Sequence, residues 1–155
     1  MGVAKENPCS RIVLPERQES EKKIFTIEET QAFLDALDGE PLRYVVFFVL
    51  AIFGGYRREE LLGFEFRDFN FTTNVVTVER VSLYDPAHGI FTGPPKTARS
   101  HRSLKLPVWI FDMVKALRAE QSMRRMELGD QWHESGRLFT KLDGSPARPG
   151  DFYDW

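Results

Sequence analysis

A chain of 155 residues, 42% of them hydrophobic and 13 of them Phe, is long enough to fold as one domain around its own core. Its single cysteine, Cys9, excludes an intrachain disulfide and a cysteine-based zinc site. The net charge of −2 conceals an uneven distribution. Acids crowd Glu16–Glu40, whereas Thr92–Leu106 carries Lys96, Arg99, His101, Arg102 and Lys105 without one Asp or Glu. Because contact with phosphate depends on local rather than average charge, a nucleic-acid partner is not excluded.

Met1–Lys22 is polar, holds Pro8 and Pro15, and reads as a linker or arm rather than a secretory signal. Thr26 with Glu29 three residues later forms a capping box, so a helix is expected to start there. Ile27, Phe33, Leu34 and Leu37 then place an apolar stripe on it, ending at Asp38-Gly39. Pro41 suits the first turn of a second helix, since its missing N–H has no helical partner to lose. That helix contains Tyr44–Phe53, ten apolar residues without a break. The run is too short to cross a membrane, which takes about 20 residues. Apolar all round, it is expected at the centre of the domain.

Gly54-Gly55 interrupts this helix, and Arg57–Leu62 is expected to form a short third one. Phe64–Phe71 and Val75–Val81 read as two strands around Thr72-Thr73-Asn74. Turns follow at Asp85-Pro86-Ala87-His88-Gly89 and Gly93-Pro94-Pro95. Arg102–Leu106 alternates polar and apolar residues as a third strand does. Pro107 opens a long amphipathic helix to about Leu128, with Ile110, Phe111, Val114 and Leu117 inward. Leu138-Phe139-Thr140 is a short extended piece, Asp143–Pro146 a turn, and Asp151–Trp155 the start of a further helix. The fold class is α+β, mostly α, with helices flanking a small three-stranded antiparallel sheet.

Two clusters carry chemical promise. Arg57 follows a Gly-Gly break at the end of a buried helix, so the core holds it in place. An arginine fixed in this way can present its planar fork to two phosphate oxygens. Glu60, three residues on, can steady the guanidinium from the same helical turn. The alternative is a surface arginine loosely paired with a solvated glutamate. Lys96 follows Pro94-Pro95, whose fixed φ angles stiffen its approach; the alternative there is one more basic loop residue. His88, His101 and His133 are isolated and lack metal-ligand spacing. Arg118, Arg124 and Arg125 read as a solvated helix face, or else as a stripe facing DNA.

The segment Gly55-Tyr56-Arg57-Arg58-Glu59-Glu60-Leu61-Leu62-Gly63-Phe64, with Arg67-Asp68-Phe69-Asn70-Phe71 after it, resembles the first arginine box of the tyrosine recombinases, the phage integrase family. Pro95-Lys96-Thr97-Ala98-Arg99-Ser100-His101-Arg102-Ser103-Leu104-Lys105-Leu106-Pro107 is similar to the lysine hairpin of the same family. Tyr56, Glu59 and Lys105 depart from the family pattern. The likeness covers roughly Thr26–Trp155 and is to integrases of prophages and conjugative transposons. It implies that residues 1–22 are the arm and 23–155 the first part of a catalytic domain. It further implies that Arg57 contacts the scissile phosphate, with Glu60 behind it, and that Lys96 protonates the leaving 5′-hydroxyl. Thr97, Arg99, His101 and Arg102 would then touch DNA, and no metal or other cofactor would be needed.

The implied partners are double-stranded DNA and other recombinase protomers, in the cytoplasm, with no membrane involved. The family's His-x-x-Arg box does not occur in the chain, and Tyr153 stands too early to be its nucleophile. The chain alone is therefore expected to be inactive. Two other functions remain open from the sequence: a non-catalytic DNA-binding module and a cytosolic protein-interaction domain.

Overall fold

The structure, a computed structural model, describes residues 12, 24–95 and 101–152. Four helices occur within them: α1 (Ile27–Ala36), α2 (Leu42–Gly54), α3 (Arg58–Gly63) and α4 (Val108–Leu128). Each begins or ends where local chemistry requires. Thr26 Oγ1 accepts the Glu29 backbone N–H, and Glu29 accepts the Thr26 N–H, completing the expected capping box of α1. Pro41 and Pro107 stand at the N-caps of α2 and α4. At the other end of α2, Gly55 adopts the left-handed conformation (φ 57°), which a residue with a Cβ rarely enters.

α2 and α4 pack together at the centre. Val46, Phe47, Val49 and Leu50 of α2 are buried, as are Ile110, Phe111, Val114 and Leu117 of α4, the face foreseen from sequence. Fully burying a side chain such as Leu50 contributes about 1.5–3 kcal/mol. α1 meets expectation in part. Leu34 packs against the core, Phe33 meets Phe48 edge-on at 5.3 Å and Leu37, past its last turn, is buried, but no residue within the helix is fully buried and Ile27 in its first turn is 84% exposed. Phe152 stacks on Phe47 with ring centroids 4.1 Å apart, and Phe139 meets Phe47 edge-on at 5.2 Å. These aromatic contacts draw the segment after α4 back onto α2.

The expected three-stranded antiparallel sheet is present, in the order β1 (Phe69–Asn70), β2 (Val75–Thr77), then the strand Ser103–Lys105. Val76 is its centre, opposite both Phe69 and Leu104. The first strand is shorter than predicted, because Phe66–Asp68 forms a 3₁₀ turn in which Asp68 accepts the Glu65 N–H. A second sheet was not foreseen. β3 (Val81–Asp85) and β4 (Gly89–Gly93) form a separate antiparallel hairpin around the turn recognised in the sequence, which makes Ser103–Lys105 the fifth strand, β5. Its glycines and partial exposure mute the period-2 signal. α3 lies against β3, and Gly63 makes that possible: a Cβ there would meet the Arg80 carbonyl oxygen at 2.7 Å. No helix among the described residues is long and apolar enough to cross a membrane.

Candidate functional site

Arg57 is the N-cap of α3, one residue beyond the turn made by Gly55 and Tyr56. Its backbone N–H donates to Glu60 Oε2 at 3.0 Å, and its Nη1 donates to Glu60 Oε1 at 3.1 Å. The same carboxylate receives a second arginine from 42 residues away. Arg102 donates through Nη1 to Oε1 at 3.1 Å and through Nη2 to Oε2 at 2.9 Å. Arg102 Nη2 also reaches the Gly55 carbonyl at 3.3 Å. Four donors thus fill the acceptor capacity of one carboxylate.

Burial separates the three side chains. Glu60 is 1% exposed, Arg102 33% and Arg57 69%. Burial pushes the Glu60 carboxyl up, but the hydrogen bonds from Arg102 and Arg57 outweigh it and hold the group below its ordinary value. Glu60 is therefore an anion at neutral pH with no free lone pair, which suits it to orient arginines and not to move protons. The bond to Glu60 raises Arg102 above its ordinary value. Two guanidinium groups share one negative charge, so the cluster keeps a net positive charge, most of it on the exposed fork of Arg57.

Tyr56 forms the floor. It is buried, and the Arg102 guanidinium lies 5.3 Å from its ring centroid, in cation–π range. Burial pushes its phenol up to about 12, against the pull of Arg102, so Tyr56 stays neutral. The residue that departs from the family pattern thus supports the arginine pair.

Of the other residues singled out in the sequence, His101 reaches Glu79 at 2.9 Å and both are exposed. Lys96, Thr97 and Arg99 lie outside the described residues, as does Tyr153. Arg118 stacks over Phe66 at 5.5 Å, and Arg125 pairs with Glu134 at 2.6 Å. Both line a cleft of about 610 Å³ beside Trp132, formed from other elements than the Arg57 cluster. Among the described residues no group of three or more His, Cys, Asp or Glu is placed to hold a metal ion.

A second arginine cluster escaped the sequence analysis. Arg80 donates to Asp68 at 2.6 Å and lies 3.6 Å from Glu65. Arg137, 6% exposed, donates to the Gly63 carbonyl and to the Thr92 hydroxyl. Burial lowers its guanidinium below the ordinary value, although it remains a cation. No spacing marks either arginine, since their partners come from distant elements.

No protein-family profile matches the chain. A tyrosine recombinase XerC-like protein of Caldanaerobacter subterraneus subsp. tengcongensis is 30% identical over 156 residues, covering 90% of this chain and 39% of the relative. An integrase of Streptomyces ambofaciens is 28% identical over 129 residues, covering 80% and 32%. The chain thus spans well under half the length of either. Among solved structures, the Tn1549 transposon integrase in complex with transposon right end DNA superposes with a TM-score of 0.66 at 21% identity. That match covers 87% of this chain and 42% of the integrase. The same integrase with a circular intermediate DNA gives 0.64 at 20% identity. The sequence likeness to the curated relatives and the fold shared with the transposon integrase place this chain in the tyrosine recombinase family, as part of a catalytic domain.

Proposed function

We propose that residues 23–155 contribute the first part of the active site of a site-specific DNA recombinase, with residues 1–22 as an arm leading into it. The observation that carries this reading is the Arg57–Glu60–Arg102 cluster: a saturated, buried carboxylate holds an exposed arginine at the start of a short helix. Such an arginine clamps a phosphate with little cost of reorganisation. The partner is double-stranded DNA, and in the longer protein other protomers of the same recombinase.

In that protein a tyrosine gives up its phenolic proton to a base and its oxygen attacks the scissile phosphorus. As the P–O5′ bond breaks, the departing 5′ oxygen takes a proton from the Lys96 ammonium, and a 3′-phosphotyrosyl ester remains. Arg57 offsets the charge that accumulates on the non-bridging oxygens. The neutral 5′-hydroxyl later attacks the ester and returns its proton to the Lys96 amine; the P–O bond to tyrosine breaks, the phenol recovers its proton, and the strand is rejoined. Arg102, with Thr97, Arg99 and His101, holds the DNA backbone beside the reacting phosphate. Arginine forks and an ammonium neutralise the phosphate, so the scheme needs no cofactor.

Binding of a random-sequence duplex at several salt concentrations tests the reading on this chain. Phosphate contacts predict an affinity that falls linearly on a log–log plot as salt rises. Salt-insensitive binding, or none, would instead favour a protein-interaction domain. Covalent capture of a nicked duplex by this chain, seen on a denaturing gel, would contradict the assignment of the nucleophile to another part of the protein.

A further inference from the structure

A helix leaves its last carbonyls without helical donors, and α3 has only six residues, too few to hold itself together in water. What grips its two ends therefore sets its orientation. At the first end Glu60 ties Arg57 to Arg102. At the last, the Gly63 carbonyl accepts from Arg80 Nη1 at 3.4 Å and from Arg137 Nη1. Arg137 arrives from 74 residues along the chain and is buried, and among the described residues it makes no ion pair. A buried guanidinium is costly to fold, and here both its terminal nitrogens are spent on neutral oxygens, Gly63 O and Thr92 Oγ1. Cations at this end also suit the helix dipole.

We propose that Arg137 is a positioning residue for Arg57: through the Gly63 carbonyl it fixes the tilt of α3, and so the direction in which the guanidinium at the opposite end meets a phosphate. This inference rests on Arg57 as a phosphate ligand, as argued above. Arg137 does not itself touch DNA. It belongs to the segment after α4, so that segment takes part in setting the phosphate clamp from behind.

Two readouts on the intact chain test it. The first is the salt slope of binding to a random-sequence duplex, which a lost phosphate contact lowers by about one. The second is the titration of the Glu60 carboxyl by NMR, which reports whether Arg57 and Arg102 still donate to it. Arg137→Met should lower the slope as Arg57→Ala does, with no further loss in the double variant, and should move the Glu60 titration toward the ordinary carboxylate range. Thr92→Val, which keeps the bond to Gly63, should move neither. That substitution lies on an exposed strand. Should Arg137→Met fail to fold, Arg137→Gln, uncharged and too short to span both oxygens, is read by the same two measurements with the same expectations. Movement of both readouts by Thr92→Val would route the effect through the hairpin and overturn the proposal. An unmoved Glu60 titration in folded Arg137→Met would also overturn it. If Arg57→Ala leaves the slope unchanged while Arg137→Met moves the titration, Arg137 still positions the cluster and the phosphate role of Arg57 falls instead.

Discussion

Two arginine clusters flank α3, built from the same residue types for opposite ends. At its start, a buried carboxylate holds two arginines that reach solvent, Arg57 more than Arg102. Beyond its end, Arg80 is 14% exposed against a buried Asp68, and Arg137 is covered by the core. The first cluster keeps guanidinium donors available to an outside ligand. The second spends its donors within the protein. Position relative to solvent, rather than residue type, separates arginine donors left open from arginine donors spent on the fold.

The largest energetic stake lies in the second cluster. Asp68→Ala leaves Arg80 without its closest partner and the Glu65 N–H without its acceptor. A loss of about 3–5 kcal/mol is expected, the usual cost of breaking a buried pair. Urea unfolding measures it, and the salt slope of DNA binding by the folded fraction should not change. Glu60→Gln comes next. It removes the shared charge of the first cluster, but its arginines can recover water, so about 2–3 kcal/mol is expected. A larger loss from Glu60→Gln than from Asp68→Ala would reverse the distinction between the clusters.

The sequence revealed these clusters unequally. Arg57 and Glu60 share one helical turn, and the Gly-Gly break before them announces the turn, so their pairing was legible. The family likeness marks Arg102 as a DNA contact, while its bond to Glu60 joins residues 42 apart and has no local signature. Arg137 precedes Leu138-Phe139, a short extended piece that offers no hint of a buried guanidinium. The helices were legible because caps and apolar stripes are local: Thr26 with Glu29, Pro41, and Pro107 each fixed a boundary. β3 and β4 were not, because their pairing depends on partners across the turn and their outward faces include Tyr84 and Phe91, aromatic residues that spoil alternation.

Acid should weaken the first cluster, with an effect bounded by that of Glu60→Gln. The folded Glu60 carboxyl lies below its ordinary value of 4.5. Its contribution to stability is complete above that value and is lost as pH falls through the lower folded one. Stability measured by urea unfolding from about pH 6 down to about pH 3, which together bracket the carboxylate range, should fall more steeply in the parent chain than in Glu60→Gln. Parallel curves would mean that Glu60 is not held as an anion by its arginines.

The smallest effect on stability, and the most telling for function, belongs to Arg57→Ala. Arg57 is 69% exposed and donates one side-chain bond to Glu60, while Arg102 still binds that carboxylate at both oxygens. Less than about 1 kcal/mol should be lost, as for other exposed ion pairs. Binding of a random-sequence duplex should nevertheless lose about one unit of salt slope, because one phosphate contact goes. The overall affinity should fall only severalfold, since backbone contacts are shared among many groups. In the longer recombinase the same substitution should abolish strand cleavage, where charge on the transition state demands the fork that ground-state binding can spare. A 5′-bridging phosphorothioate, whose sulfur leaves without a proton, should restore cleavage to Lys96→Ala but not to Arg57→Ala. Restoration of Arg57→Ala alone would exchange the roles of the two residues.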